Sequence, residues 1–398
     1  MQRHVRLCLT VLALSVLVAL FATQVGAQPL RDGLPEEVGM SSERLENVFR
    51  VVEQGVVQGA YPGAEILVVR KGVVVAHKAF GHAQRIPITR PLEEGTLFDL
   101  ASVSKLFTAT AVMMLVERGY IRLDDPISLF LRHPGFSQPD KANIRVRHLL
   151  THTSGLPSWL PIFREGSGRE FYLDRIARAT MQAEPGTTYI YSDLGAILLG
   201  FIVEEVSGQS LDEFLRENLF EPLGMTNTMY NPGPEWLDRV AATEVDATWR
   251  GRVIVGEVHD ENAAGLGGVA GHAGLFSTAR DLAIFGQMLL NLGSYNGVHV
   301  LSPNTVLLMI QNHTFGIGVR RGLGFDLKSS TFSSVGDLMG GGTFGHLGFT
   351  GTSIWIDPSN QLVTILLTNR VHPTRDATGI TRVRPTFHNA VAGTIIEL

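Results

Sequence analysis

The chain has 398 residues, of which 44% are hydrophobic, 18% charged and 8% aromatic, and its formal net charge is −5. This length and composition indicate a folded protein with one large or two interlocked domains, and they exclude a disordered chain. The negative charge and the lack of a long basic stretch argue against nucleic acid as a partner.

The N-terminal segment has the parts of a secretory signal peptide. Two arginines near the start precede an apolar stretch over residues 7–22, and Val25 and Ala27 are small residues at the −3 and −1 positions of a cleavage site. We therefore expect residues 1–27 to be removed, which leaves no stable membrane span in the mature chain. An uncleaved anchor is the alternative, because the apolar stretch approaches the ~17 residues that a span requires.

The only cysteine, Cys8, lies in this signal segment. The mature chain can therefore form no disulfide and has no thiol nucleophile. Together these features predict an exported protein of a bacterium, with a periplasmic or extracellular location.

Strand patterns occur near both ends of the mature chain. A short amphipathic helix over Ser42–Gln54 is followed by two β-rich runs around Lys71-Gly72, which is typical of a hairpin. A second hairpin is predicted over Pro358–Asn360, and a C-terminal helix near Thr386–Ile396.

The middle of the chain has a mainly helical pattern. The stretch Phe98 to Gly119 is apolar on most faces and ends at a glycine, which predicts a buried helix. Further helices are predicted in LGAILLGFIVEEVSG and TARDLAIFGQMLLNLG, with a strand and a glycine-rich loop between them. We expect an α/β (α+β) fold: one antiparallel sheet from about 42–100 and 311–398, a mainly helical part inserted over about 101–310, and a cleft where they meet.

Ser102 and Lys105 form a candidate catalytic pair. Residues i and i+3 share a helix face, so Lys105 can reach the Ser102 hydroxyl near the helix start. Serine needs a base to become a good nucleophile, the helix start favours negative charge, and burial lowers a lysine pKa toward a usable amine. A coincidental Ser-x-x-Lys on a solvated helix is the alternative, but the flanks are apolar and the motif occurs once.

Five segments occur in the order seen in the serine β-lactamase and D,D-peptidase superfamily: ASVSK, RHLLTHTSGLP, PGTTYIYSDLGAILLG, EPLGMTNT and FGHLGFTGTSIWIDP. The chain resembles the class C β-lactamase-like hydrolases, which include penicillin-binding proteins, from about Ser42 to Asn389. This resemblance implies a β-lactamase/transpeptidase-like fold, one catalytic domain over residues 28–398, and an acyl-enzyme intermediate without metal or cofactor.

The family's second motif, Tyr-x-Asn, is Tyr191-Ser192-Asp193 in this chain. By resemblance, Tyr191 points into the cleft and shares the proton relay with Ser102 and Lys105, whereas the alternative is a core tyrosine. Asp193 replaces the amide that usually bonds the lysine and the substrate. Because an acid beside Lys105 favours its charged form, we expect the base role to move towards Tyr191 as phenolate.

The third motif, Lys-Thr-Gly in β-lactamases and classical D,D-peptidases, is His346-Leu347-Gly348 here. The titratable imidazole of His346 replaces the permanent positive charge of the family's lysine. We expect His346 to orient the substrate or to assist the proton relay. Gly348 is expected to let the strand backbone approach the substrate. The resemblance places the Phe349 N–H in the oxyanion hole beside the Ser102 N–H. Because an isobutyl group replaces the family's hydroxyl, we expect weak carboxylate recognition and inefficient β-lactamase activity.

Three further segments narrow the expected substrate. GEVHDENAAGLGGVAGHAGLFSTARDLAIF, RGLGF and LLTNRVHP resemble the branch with exported D-alanyl-D-alanine carboxypeptidases and an exo-acting N-acetylmuramoyl-L-alanine amidase. We therefore expect a small-molecule or muropeptide partner, cleaved at an amide bond. The alternatives are a class C-like carboxylesterase and a non-catalytic penicillin-recognising sensor. The polar residues 259–262 either line the cleft rim or stabilise a turn.

Two patterns that suggest a cofactor or a metal are interpreted as structural. The segment GLGGVA lacks the preceding βαβ frame of a dinucleotide site and predicts a close-packed loop. His148 and His152 are four residues apart, but no third ligand accompanies them, so packing is the favoured interpretation.

Overall fold

The structure is a computed structural model that describes residues 29–397. The predicted signal peptide, residues 1–27, lies outside this range. Within the range, no single helix has the length and apolar character to cross a membrane, although the bent pair Asp193–Ser207 and Leu211–Leu223 has them jointly.

The strands are β1 (Arg31–Asp32), β2 (Gly63–Arg70), β3 (Val73–Gln84), β4 (Arg90–Pro91), β5 (Phe98–Asp99), β6 (Met229–Tyr230), β7 (Val245–Asp246), β8 (Arg252–Val253), β9 (Leu275–Ser277), β10 (Ser294–Tyr295), β11 (Val298–His299), β12 (Asp326–Leu327), β13 (Phe344–Leu347), β14 (Ser353–Asp357) and β15 (Leu362–Thr368). The α-helices are α1 (Ser42–Val57), α2 (Ser104–Glu117), α3 (Val146–Leu150), α4 (Arg169–Ala177), α5 (Asp193–Ser207), α6 (Leu211–Leu215), α7 (Glu221–Leu223), α8 (Glu261–Gly265), α9 (Ala279–Leu290), α10 (Pro303–Met309) and α11 (Ile380–Ala392).

The main sheet joins strands from the two ends of the chain. Its order is β1-β3-β2-β15-β14-β13-β12, and β4 pairs with β3 at one side. The two ends meet at the antiparallel pair β2–β15, where Ile66 lies opposite Leu366. The predicted fold class is confirmed, with one correction: β1 runs parallel to β3, so the sheet is mixed rather than wholly antiparallel.

Both faces of the sheet are covered by helices. Ile66 and Val68 pack in the core cluster shared with α1 and α11, whereas Leu67 and Val69 pack in the cluster that contains α9. Because successive side chains of a strand point to opposite faces, a strand covered on both sides has an uninterrupted apolar sequence. The α9 side continues into the helical part of the chain, which contains α2 and α5.

The helix that follows the candidate nucleophile begins later than predicted. The stretch from Phe98 first forms β5, which pairs with β9, and then a 3-10 turn over Ala101–Val103. Ala101 has a φ of 46°, which lies outside the α-helical region, so the regular helix starts at Ser104. The predicted burial is confirmed, because α2 is buried on nearly every face.

The C-terminal helix α11 begins six residues before the predicted start at Thr386 and ends at Ala392 instead of Ile396. Proline in a helix interior removes a backbone hydrogen bond and usually breaks the helix. In the structure Pro385 lies inside α11. The buried face that α11 packs against α1 explains why tertiary contacts outweigh the cost of this proline. Both predicted hairpins and α1 are present.

A buried histidine on α11 predicts how stability depends on pH. His388 is fully buried against Thr364 of β15, and burial, with the nearby Arg384, lowers its pKa to about 3 from an unfolded value of 6.5. Between these values the unfolded chain binds one more proton, so this histidine makes the free energy of unfolding fall as the pH drops below 6.5, by about 1.4 kcal/mol per pH unit.

We expect His388→Gln to reduce this pH dependence by about one proton. The measurement is chemical denaturation of both proteins at several pH values between 5 and 7.5. Equal slopes for the wild type and the variant would show that His388 is not held neutral.

Candidate active site

A cavity of about 1050 Å³ lies where the sheet meets the helical part of the chain. Of the seven site residues predicted from sequence, six line this cavity, and the seventh, Lys105, contacts one of them. The six are Ser102, Tyr191, Asp193, His346, Gly348 and Phe349. The structure therefore brings together residues that are spread over about 250 positions of the sequence.

Ser102 and Lys105 are in direct contact. Ser102 lies in the 3-10 turn before α2, and Lys105 lies in the first turn of α2. Lys105 Nζ donates a hydrogen bond to Ser102 Oγ at 2.7 Å, and the lysine is only 4% exposed. The spacing of three residues thus produces the contact expected from helix geometry, and the apolar flanks bury the lysine.

Lys105 is held in its charged form by its other neighbours. Its Nζ lies 2.8 Å from Asp193 Oδ1 and donates to the His272 carbonyl at 3.1 Å. Burial is the largest influence and opposes the charge, but the combined attraction of Asp193 and Tyr191 outweighs it and raises the pKa of Lys105 above its ordinary value. Lys105 is therefore an ammonium at neutral pH and cannot accept the Ser102 proton in that state.

Tyr191 lies among aromatic rings and cations. Its ring centroid is 4.5 Å from that of His152 and 6.0 Å from that of His346, and Lys105 Nζ lies 4.9 Å from it. His152 is buried, and its Nδ1 accepts a hydrogen bond from the Ser192 N–H. His152 therefore packs against the ring of Tyr191 and holds the backbone of Ser192, the next residue in the chain. Tyr191 lines the cavity and is not a core tyrosine.

His346 differs from the expected titratable group. It is almost fully buried, and burial, followed by the charges of Arg321 and Lys105, lowers its pKa well below 6.5. Its Nδ1 donates to the Leu347 carbonyl at 2.8 Å, which leaves Nε2 as an acceptor with no partner in residues 29–397. The structure thus holds a neutral imidazole here at neutral pH.

The two predicted oxyanion donors are free of internal partners. Neither the Ser102 N–H nor the Phe349 N–H takes part in a hydrogen bond within the described chain. Both residues line the same cavity. Two backbone N–H groups that are available in one cavity can stabilise the oxyanion of a tetrahedral intermediate.

Hydrogen bonds from the loop after β13 fix the backbone before the nucleophile. Thr350 Oγ1 donates to the Asp99 carbonyl at 2.7 Å, and Thr352 Oγ1 donates to the Leu100 carbonyl at 2.9 Å. The Asp99 carboxylate also accepts from the Ala101 N–H at 2.8 Å, which supports the unusual φ of that residue. Sequence analysis missed these threonines, although their alternation in the segment FTGTS was a visible signal.

Gly348 is required by a close contact within the protein, besides the predicted approach to the substrate. A Cβ at this position would collide with the Leu100 carbonyl oxygen and the Thr352 hydroxyl. The close approach at Gly348 is therefore to the turn that carries the nucleophile. Arg384 Nη2 fixes the same loop by donating to the Gly348 and Thr352 carbonyls at 2.8 and 2.9 Å.

The polar residues 259–262 are bonded to protein groups, and three of them line the cavity. His259 Nε2 lies 3.0 Å from a carboxylate oxygen of Glu244, and Asp260 Oδ1 lies 2.8 Å from His272 Nε2. This segment therefore both stabilises its loop and shapes the cavity wall. In the part of the chain that the structure covers, no cluster of three or more His, Cys, Asp or Glu side chains is arranged to hold a metal ion.

Comparisons with known proteins agree with this geometry. A family model described as "Beta-lactamase" matches residues 48–385. A protein of Escherichia coli O157:H7 named "Putative D-alanyl-D-alanine carboxypeptidase" is 35% identical over 399 residues, covering 91% of each chain.

Solved structures have the same fold. EstCE1, described as "a hydrolase with promiscuous acyltransferase activity", is 26% identical with a TM-score of 0.70, covering 88% of this chain and 98% of its own. A penicillin-binding protein homologue from Caulobacter crescentus is 21% identical with a TM-score of 0.69, covering 88% and 99%. The latter similarity concerns the fold alone.

The close contact at Gly348 gives a test with a matched control. We expect Gly348→Ala to displace the loop that carries the Phe349 N–H and to lower kcat roughly 100- to 1000-fold, since losing one oxyanion donor costs about 2.7–4 kcal/mol. Gly342→Ala is the control, because a Cβ there meets no atom within 4 Å. Steady-state kinetics on any substrate that the wild type hydrolyses provide the measurement. Equal activity of the two variants would contradict the assigned contact.

Proposed function

Because the chain belongs to the β-lactamase family of serine hydrolases, we propose that it hydrolyses an amide bond of peptidoglycan-derived substrates through an acyl-enzyme on Ser102. The observation that carries this proposal is the contact of Ser102 Oγ with the buried Lys105 ammonium at the wall of a large cavity. The reaction is of the D,D-carboxypeptidase or the N-acetylmuramoyl-L-alanine amidase type. The name of the Escherichia coli relative supports the former.

In the proposed acylation step, Tyr191 starts as the phenolate: Ser102 Oγ attacks the carbonyl carbon of the scissile amide, and the phenolate oxygen of Tyr191 accepts the hydroxyl proton and becomes a neutral phenol. Lys105 remains an ammonium and stabilises the developing negative charge on Oγ through its 2.7 Å hydrogen bond. The Ser102 and Phe349 N–H groups hold the carbonyl oxygen as it becomes an oxyanion. Tyr191 then returns the proton to the leaving amine, the C–N bond breaks, and the acyl-enzyme forms.

Deacylation repeats this sequence with water as the nucleophile. Tyr191 removes a proton from the water molecule, the resulting hydroxide attacks the ester carbonyl, and the proton returns to Ser102 Oγ as the product acid leaves. No group in this cycle needs Lys105 to lose its proton. This division of roles follows from the ion pair with Asp193, which favours the ammonium.

A carboxylesterase is the second candidate function. It is favoured by the third motif, in which Leu347 replaces the hydroxyl residue that helps to hold a substrate carboxylate in the family. The similar protein EstCE1, 26% identical, is described as a hydrolase with promiscuous acyltransferase activity. The same Ser102 chemistry serves both reactions, since an ester and an amide form the same acyl-enzyme. We also propose export of the protein, on the basis of the signal-peptide pattern in residues 1–27.

The nucleophile assignment is tested by covalent labelling. We expect a fluorophosphonate to add one adduct to the protein and peptide mapping to locate it on Ser102, since an activated serine attacks phosphorus as it attacks a carbonyl. Ser102→Ala should abolish both labelling and turnover, whereas Ser104→Ala, whose hydroxyl accepts a bond from the Leu275 N–H, should still be labelled. Labelling of the Ser102 variant at the wild-type rate would overturn the assignment.

The substrate class is tested by incubating the wild-type enzyme with candidate peptide and ester substrates. Release of D-alanine from a peptide ending in D-alanyl-D-alanine, or of an L-alanyl peptide from a MurNAc-peptide, is the expected result and identifies the bond. Turnover of short-chain esters without cleavage of either peptide would replace the proposed function with the carboxylesterase. Absence of both labelling and turnover would leave a non-catalytic binding protein.

The role of Asp193 is tested by the pH dependence of kcat/KM. Asp193→Asn removes the attraction that raises the pKa of Lys105 and leaves burial, which lowers it. If the ammonium is the active form, kcat/KM falls at alkaline pH when Lys105 loses its proton. In the variant this fall should begin at a lower pH than in the wild type. A gain of activity at neutral pH would show instead that neutral Lys105 is the base.

A further inference from the structure

Arg384 is bonded to the peptide unit that carries one of the two oxyanion donors. The Phe349 N–H shares its peptide unit with the Gly348 carbonyl, and Arg384 Nη2 donates to this carbonyl at 2.8 Å. The peptide bond between Gly348 and Phe349 is trans. Because a trans peptide unit is planar, its carbonyl and its N–H point in opposite directions. A donor that fixes the Gly348 carbonyl therefore also fixes the direction of the Phe349 N–H.

The side chain of Arg384 is itself firmly held. It comes from α11, which packs on α1, and it is only 8% exposed in the cavity wall. The same Nη2 donates to the Thr352 carbonyl at 2.9 Å, and that carbonyl also accepts the Gly348 N–H at 2.8 Å. Arg384 thus joins the two ends of the loop 348–352 and connects this loop to a packed helix.

The bond to the Gly348 carbonyl is charge-assisted. Burial, and then the nearby Arg370, lower the pKa of Arg384 to about 10, so the guanidinium is charged at neutral pH. A cation bonded to a peptide oxygen draws electron density from the whole unit, which makes its N–H a stronger donor, and a buried site increases this effect. The Gly351 N–H donates to the same oxygen at 3.1 Å, but it carries no net charge.

The neighbouring cation and the other oxyanion donor lack this arrangement. Arg370 Nε donates to the Phe349 carbonyl, which belongs to the following peptide unit and not to the one with the Phe349 N–H. The Ser102 N–H shares its peptide unit with the Ala101 carbonyl, which accepts the neutral Ser104 N–H in the 3-10 turn. The contact with a cation therefore distinguishes the Phe349 donor from the Ser102 donor.

We propose that Arg384 is a positioning residue of the oxyanion hole, which directs the Phe349 N–H and strengthens it as a donor to the developing oxyanion. This inference rests on the proposed attack of Ser102 on a carbonyl and is independent of which amide or ester is cleaved. The bond to the Gly348 carbonyl exists before substrate binds, so the donor needs no reorganisation during the reaction.

The test uses phenylboronic acid, which needs no knowledge of the substrate. Ser102 Oγ adds to boron, the hydroxyl proton passes to the Tyr191 phenolate, and no bond to boron breaks. One oxygen of the tetrahedral adduct then takes the position of the oxyanion. The dissociation constant is measured as protection of Ser102 from fluorophosphonate labelling, and the end point of labelling without the boronic acid gives the fraction of intact enzyme.

Arg384→Met removes the donor and the charge and keeps a long side chain. We expect it to weaken phenylboronic acid binding roughly 10- to 100-fold, which is less than for a lost oxyanion donor because the Phe349 N–H remains. For any substrate that is turned over, kcat should fall in parallel while KM stays within about threefold, since the lost interaction belongs to the transition state. Arg384→Lys keeps a charged donor and should restore part of the affinity.

Arg70→Met is the matched control. Arg70 is also buried and donates to backbone carbonyls, those of Val38 and Gly39, but it does not line the catalytic cavity. This variant should lose stability and leave the dissociation constant of phenylboronic acid unchanged.

A purely structural role of Arg384 predicts a different result. The fraction of Arg384→Met that can be labelled would fall, while the labelled molecules would bind phenylboronic acid as the wild type does, and this outcome would overturn the inference alone. If Arg384→Met does not fold, Arg384→Gln takes its place; it keeps a neutral donor and should show a smaller loss of affinity. A wild type that is not labelled would overturn the proposed function and the role of Arg384 with it.

Discussion

The buried ammonium of Lys105 is the interaction on which the rest of the site depends. A charge in this position is unfavourable unless several groups compensate it, and the chain supplies Asp193, the His272 carbonyl and the face of Tyr191. These partners come from the start of α5 and from the loop before β9, so the ammonium is stabilised only in the folded state, where these segments surround it. The stabilised ammonium donates a hydrogen bond to Ser102 Oγ, and its positive charge can stabilise the negative charge that develops on this oxygen during attack.

The sheet contributes the other half of the site through a small number of long-range contacts. Thr350 and Thr352 bond to carbonyls 251 and 252 positions earlier in the chain, directly before the nucleophile. These bonds hold the Ser102 and Phe349 N–H groups in one cavity although they belong to opposite ends of the sequence. The absence of a side chain at Gly348 permits this approach. The oxyanion donors are therefore positioned by the junction of two chain segments, which explains why the cavity lies at that junction.

Local patterns predicted the features that depend on near neighbours in sequence. The hairpins, the burial of α2 and the contact of Ser102 with Lys105 follow from turn residues, apolar runs and a spacing of three. Features that depend on distant packing were missed. Pro385 lies inside α11 because that helix packs on α1. His346 is neutral because burial, and then the charge of Arg321, lower its pKa.

The charge of Lys105 in the resting enzyme can be measured directly by NMR of the protein with ¹³C-labelled lysine at Cε. The chain has five lysines, and the signal of Lys105 is the one that disappears in Lys105→Arg. The account predicts that this signal keeps the shift of an ammonium throughout the pH range from 6 to 9, while the enzyme is active. A Lys105 signal that titrates near neutral pH, in step with the rise of kcat/KM, would contradict the account and make the neutral lysine the base.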